Sequence, residues 1–195
     1  MKGSPLDEFE GFNFHNVLPG NFMVTKKPDD VIMTLLGSCV SACIRCSQTG
    51  IGGLNHFLLP STRGKALTNM EHSTRYGDFA MEKLIGSILR AGGNRHALEA
   101  KVFGGANLYD TESERPVGRS NIQFVLDFIH AENISLLAED IGGLQGRKIY
   151  FHPLSGKVKV QKISKNQKDL KNSEKNYGQK LPKDDDDLGT IELFG

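Results

Sequence analysis

The chain has 195 residues, with 24 Lys+Arg against 23 Asp+Glu, a formal net charge of +1, 22 Gly and no Trp. That length suits one domain with a full-sized core plus a tail. The even charge balance argues against nucleic acid or a membrane surface as the main partner, because binding by counterion release needs an excess of Lys and Arg.

No stretch approaches the roughly 18 apolar residues of a membrane-spanning helix. The start, MKGSPLDEFEGFNFHN, is acidic and lacks the apolar stretch of a secretory signal, so a reducing cytoplasm is the expected compartment. Residues 1–20 read as an extended arm closed by the turn signal Leu18-Pro19-Gly20. Asn21 to Lys26 alternates weakly, which predicts a strand ended by Lys27-Pro28-Asp29-Asp30. Val31 to Leu36 is an apolar run with one hydroxyl, Thr34. After Gly37-Ser38 the chain alternates again, with Val40, Ala42 and Ile44 on one face and Cys39, Ser41 and Cys43 on the other. Gly50 to Leu59 reads as the partner strand, after a turn at Gln48-Thr49-Gly50 and before Pro60.

Residues 61–74 are polar and read as a loop. Met81, Leu84, Ile85, Ile88 and Leu89 then form a helical stripe that Gly92-Gly93 stops. Leu98 to Phe103 is a strand, and Asn121 to Ala131 a second helix with Ile122, Val125, Leu126 and Ile129 on one face. Ile134 to Ala138 is a further strand, followed by Glu139-Asp140 and Gly142-Gly143. Lys148 to His152 and Lys157 to Ile163 predict a hairpin across Pro153-Leu154-Ser155-Gly156. From Ser164 the chain is rich in Lys, Asn and Asp and reads as a disordered tail with an apolar tip at Ile191 to Gly195. The expected organisation is an arm over 1–20, one domain over 21–163 and a tail over 164–195. The fold class is α+β, with stacked mixed or antiparallel β-sheets flanked by helices.

All three cysteines, Cys39, Cys43 and Cys46, lie within eight residues. Their spacing is that of a loop holding a [4Fe–4S] cluster in radical enzymes, but here the intervening residues continue a strand, which turns Cys46 away from the other two. Zinc needs a fourth ligand and a second close pair, which the sequence does not supply. A second reading takes Cys39 as a nucleophile whose thiolate forms beside a histidine. Folding the two strands back on each other around residues 47–48 sets His56 opposite Cys39. Gly37 and Ser38 offer backbone N–H groups for an oxyanion, and Thr34 is the local group able to orient the imidazole, since 31–59 holds no Asp or Glu. On residues alone, Cys39 reads first as a small buried apolar side chain and His56 as a satisfied core or surface histidine. Cys43, Cys46 and the other histidines read as filler, and Glu139-Asp140 as a strand-end turn before a metal or acid–base pair.

Six blocks are similar, in order, to a known family: LGSCVSACI (36–44), GGLNHFLLP (52–60), STRYGDFAMEKLI (73–85), LEAKVFGGANL (98–108), GRSNIQFVLDFI (118–129) and LLAEDIGG (136–143). Over residues 17–163 the chain resembles the CheD chemoreceptor glutamine deamidases. The resemblance implies a cytoplasmic protein-glutamine glutaminase of bacterial chemotaxis adaptation, which converts glutamines of methyl-accepting chemotaxis receptors to glutamate and ammonia through a thioester. It implies a fold similar to the catalytic domain of the cytotoxic necrotizing factors, Cys39 as nucleophile, His56 as base and Thr34 as the third member. Gly37, Ser38 and Asn55 are the candidates for substrate or oxyanion contact. No metal or other cofactor is expected. The receptors are the expected partners, with the chemotaxis phosphatase CheC a further one, and neither nucleic acid nor direct membrane insertion is expected. The competing function is a regulatory binding module for receptors or for such a phosphatase.

Overall fold

A computed structural model describes residues 7–59, 68–107, 117–163 and 192–193. Its strands are β1 (Asn13–Asn16), β2 (Phe22–Thr25), β3 (Asp30–Leu36), β4 (Val40–Cys46), β5 (Gly52–Asn55), β6 (Leu98–Gly104), β7 (Ser135–Ile141), β8 (Gly146–His152), β9 (Lys157–Ile163) and β10 (Glu192–Leu193). Its helices are α1 (Thr68–Arg90) and α2 (Val117–Ala131). Two mixed sheets result, one in the order β1-β3-β8-β9 and one in the order β10-β2-β5-β4-β6-β7. The arrangement is α+β, as the sequence predicts.

The layers follow from alternation along the central strands. On β3, Ile32, Thr34 and Leu36 are fully buried and turn towards the larger sheet, where Ile32 and Leu36 join Ile149 and Phe151 against Met23, Cys39, Cys43, Leu54 and Phe103. The outer face of β3 is covered too, because Val31 packs with Phe9 and Tyr150, and Phe12 and Met33 lie against them. A strand buried on both faces reads as a continuous apolar run, which is the pattern of Val31 to Leu36. β4 is covered likewise. Val40, Ala42 and Ile44 meet Met81, Leu84 and Ile88 of α1 and Val125 and Ile129 of α2, while Cys39 and Cys43 face the smaller sheet.

Four expectations change, the first being that Glu139-Asp140, read as a strand-end turn, lies within β7 and pairs with Val102 and Phe103 of β6. The arm over 1–20 contains β1, which pairs in parallel with β3 from Asn13↔Asp30 to Asn16↔Met33. A four-residue edge strand reading NFHN is too short and too polar for periodicity to reveal. Next, α1 starts at Thr68, within the stretch read as loop, and α2 starts at Val117. The apolar stripe marks where a helix packs, and coiling extends beyond it. Last, Cys46 belongs to the core under α1 and is not surface filler. The expected disordered tail lies outside the described residues except for β10, which pairs in parallel with Met23 and Val24 at the edge of the larger sheet.

Candidate active site

β4 and β5 pair over Cys43↔Leu54, Ile44↔Gly53 and Arg45↔Gly52, and the chains meet again at a single bridge, Val40↔Phe57. At the bridge each N–H donates to the other residue's carbonyl at 3.0 Å. This register sets Ser41 opposite His56 and Cys39 opposite Leu58. Cys39 and His56 are therefore diagonal neighbours on one face, a separation that an imidazole spans. The turn runs from Cys46 to Ile51, which donate and accept across it at 2.8 Å, so its centre lies further along the chain than residues 47–48.

The ladder is opened where His56 sits. The Ala42 N–H donates to Asn55 Oδ1 at 2.9 Å in place of a backbone carbonyl. The His56 backbone turns to the other neighbour, donating to the Asn21 carbonyl at 2.9 Å and accepting from the Gly20 N–H at 2.7 Å. Alternation then carries the Asn55 side chain to the helix face, where Nδ2 donates to the Ala80 carbonyl and to Met81 Sδ, each at 3.3 Å. Asn55 thus shapes the strand around His56 from the opposite side of the sheet.

His56 and Thr34 meet between the two sheets. Nδ1 of His56 lies 2.7 Å from Thr34 Oγ1, and the Thr34 hydroxyl donates to the Val17 carbonyl at 2.7 Å. A hydroxyl has one proton to give. With that proton on Val17, Thr34 accepts from Nδ1–H, so the lone pair of the ring sits on Nε2. Both His56 Nε2 and the Ser41 hydroxyl opposite it are buried with no hydrogen-bond partner among the described residues. Burial pulls the His56 pKa down to about 4, against a smaller upward pull from the Val17 carbonyl. At neutral pH the ring is an uncharged base with a defined tautomer.

The segment before Cys39 is held by its carbonyls. The Gly37 carbonyl accepts from the Ala106 N–H at 2.7 Å, Ser38 from Asn121 Nδ2 at 2.9 Å and Cys39 from the Gly105 N–H at 2.7 Å. These donors come from the end of β6 and from α2. Gly104 makes the approach possible. It has φ +109°, and a Cβ there would lie 2.2 Å from the Cys39 carbonyl oxygen. That explains the paired glycines of the VFGGAN stretch.

The three thiols do not converge. Cys39 and Cys43 share the inter-sheet face and Cys46 lies on the other, where Sγ accepts from the Asn94 N–H at 3.3 Å. Burial pushes the Cys43 thiol well above its ordinary range, which keeps it protonated. Among the described residues no group of three or more His, Cys, Asp or Glu side chains is placed to hold a metal ion. Asp140 is committed to the buried Arg147, whose Nη1 donates to its Oδ1 at 2.7 Å. No described helix is long and apolar enough to cross a membrane.

Two residues of this neighbourhood escape the sequence reading of the site. Ser41 was legible as a member of the Cys39 face. Asn121 had a signal in its position, since it shares a buried stripe of α2 with Gly118, Val125 and Ile129. A polar side chain in an apolar stripe needs a partner, and the sequence gives no hint of which.

Residues 58–162 match the family model described as CheD chemotactic sensory transduction. Curated proteins are similar over a longer span. A probable chemoreceptor glutamine deamidase CheD of Janthinobacterium sp. (strain Marseille) is 47% identical over 179 residues, 91% of this chain and 87% of its own length. Proteins with the same description from Herminiimonas arsenicoxydans and Thiobacillus denitrificans are each 46% identical over 91% of this chain, and 87% and 88% of their own lengths are covered.

Proposed function

The chain belongs to the CheD family, and on that premise we propose that it deamidates glutamine side chains of chemoreceptors, with Cys39 as nucleophile and His56 as base. The observation that carries this reading is the buried, neutral imidazole whose Nδ1–H is held by Thr34 and whose Nε2 is left unbonded, on the same sheet face as Cys39. The substrate is a helical receptor segment presenting its glutamine from the cytoplasmic side.

The steps use only this chain's residues, the glutamine and water. His56 Nε2 takes the Cys39 proton as Sγ bonds to the glutamine Cδ, and the carbonyl electron pair moves onto oxygen. A buried imidazolium is unfavourable alone, as the low pKa shows. Beside the new thiolate its charge is offset, so proton transfer and attack go together. We place the oxyanion at the backbone N–H of Ser38 or of Cys39, on peptides whose carbonyls are fixed by Ala106 and Asn121. Collapse breaks the Cδ–N bond, and the Nε2 proton leaves with ammonia. Water then attacks the thioester, giving one proton to Nε2. The Cδ–S bond breaks, the proton returns to Cys39, and the glutamic acid formed gives its remaining proton to solvent and leaves as glutamate.

The test is co-expression of receptor with wild type, Cys39→Ala or His56→Ala. Conversion of receptor glutamines to glutamates is read by mass spectrometry and ammonia release by a coupled assay. Each variant is expected to melt as a folded protein and to lose activity by at least about 10⁴-fold. If Cys39→Ala converts receptor at the wild-type rate, the assigned nucleophile is wrong.

A further inference from the structure

We infer that Asn121 is a positioning residue that sets the separation of Cys39 and His56; the inference rests on the reading of those two residues as nucleophile and base. By the register of the bridge, Ser38 stands opposite Leu59, two residues beyond Val40↔Phe57. Hydrogen-bonded pairs alternate along an antiparallel ladder, so an unbroken ladder would join Leu59 N–H directly to the Ser38 carbonyl. The Asn121 side chain occupies that rung. Its Nδ2 donates to the Ser38 carbonyl at 2.9 Å, and its Oδ1 accepts from the Leu59 N–H at 2.9 Å.

A carboxamide carries one donor face and one acceptor face, like a peptide bond. Inserted as a spacer, it satisfies both backbone groups and holds the two chains wider apart than a direct rung does. Cys39 lies between this spacer and the Val40–Phe57 bridge, and His56 lies on the other side of the bridge. One side chain therefore fixes the gap across the strands that carry both reacting groups. The spacer is itself rigid. Asn121 is fully buried. One turn earlier in α2, Gly118 packs so closely on Gly105 that a Cβ would lie 2.5 Å from the Gly105 carbonyl oxygen. Gly105 in turn donates to the Cys39 carbonyl. The helix, the Cys39 segment and the His56 segment are thereby locked to one another. No substitution among the common side chains of similar size reproduces the pair of bonds. Asp keeps the acceptor for Leu59 and sets a second oxygen against the Ser38 carbonyl, while Ala leaves both backbone groups unpaired.

The experiment compares full-length wild type, Asn121→Asp, Asn121→Ala and Cys39→Ala. It reads kcat and KM for ammonia release from receptor, thermal melts, and the pH profile of Cys39 alkylation by iodoacetamide, followed on the Cys39 peptide by mass spectrometry. Both Asn121 variants are expected to lose about 10²-fold in kcat with little change in KM, because a misplacement of about 1 Å costs that much. Their alkylation profile is expected to move to higher pH, since the thiol loses its placed base. A residue that merely holds the fold would lower the melting temperature and leave kcat per native molecule and the alkylation profile at their wild-type values, and that result overturns the inference. Loss of a cooperative melt in both variants overturns it as well. If Cys39→Ala retains activity, the deamidase reading fails on its own account, and the alkylation profile still decides whether Asn121 sets the gap.

Discussion

The His56 imidazole is enclosed between two sheets at 3% exposure, and this should make the protein lose stability in mild acid in a way one substitution removes. An unfolded chain binds a proton on this ring near the ordinary value of about 6.5, whereas the folded chain resists until about 4. Between those values the unfolded state carries more protons, so the stability tied to this group is intact above about pH 6.5 and is lost as pH falls towards about 4. At about 1.4 kcal/mol per tenfold in proton affinity, the full effect is about 3 kcal/mol. The matched variant is His56→Asn, whose amide can still donate to Thr34 but does not titrate. Urea unfolding of both proteins, at several values from about pH 7.5 to about pH 4.5, should show wild type losing about 2.5 kcal/mol more than the variant. Asp30, held below its usual range by Thr25 and His15 against the pull of burial, and other carboxylates contribute to both proteins and cancel in the difference. Parallel loss in the two proteins would refute the reasoning, since it would mean that the ring is not buried uncharged.

Other substitutions test the supports of the site. Thr34→Val keeps the shape but removes the acceptor of Nδ1–H, and should lower kcat about 10²-fold at unchanged KM, with Thr34→Ser restoring most of it in steady-state assays. Gly104→Ala forces a side chain into a left-handed backbone and against the Cys39 carbonyl, so thermal denaturation should show a loss of about 1–3 kcal/mol and Cys39 alkylation should change with it. Arg147→Met removes a buried guanidinium that donates to Asp140 and to the Gly142 carbonyl, and should cost about 1–3 kcal/mol in urea unfolding, since the carbonyls of Asp140 and Gly142 lose their donor while the Asp140 carboxylate keeps Lys162. A loss within about 0.5 kcal/mol would mean that the loop after β7 stands without it.

The sequence shows the α+β class, the two helices and the hairpin of β8 and β9, because each is a periodic segment whose apolar face is its own signature. The cysteine split was legible for the same reason, since alternation alone turns Cys46 from Cys39 and Cys43. The register that makes Cys39 and His56 diagonal neighbours was legible only roughly, because it depends on where the turn centres, and the turn from Cys46 to Ile51 carries no strong signal of its own. The contact of Thr34 with His56 spans 22 positions and two sheets, so nothing local could show it beyond the isolation of one hydroxyl in an apolar run. β1 and the first turns of α1 were hidden by polar sequence. Asn55 and Asn121 each replace a backbone rung with a side chain, and such a substitution becomes visible only once both strands are in place.

The placing of Thr34 on one sheet and of Cys39 and His56 on the other gives the apolar filling between them a second duty. Ile32, Leu36, Ile149 and Phe151 act as a gauge block whose thickness sets the separation of Thr34 and His56. A methylene removed there costs packing energy that a stable fold can absorb, yet it also shortens the block under a hydrogen bond of 2.7 Å. Turnover should therefore register such changes before the melting temperature does.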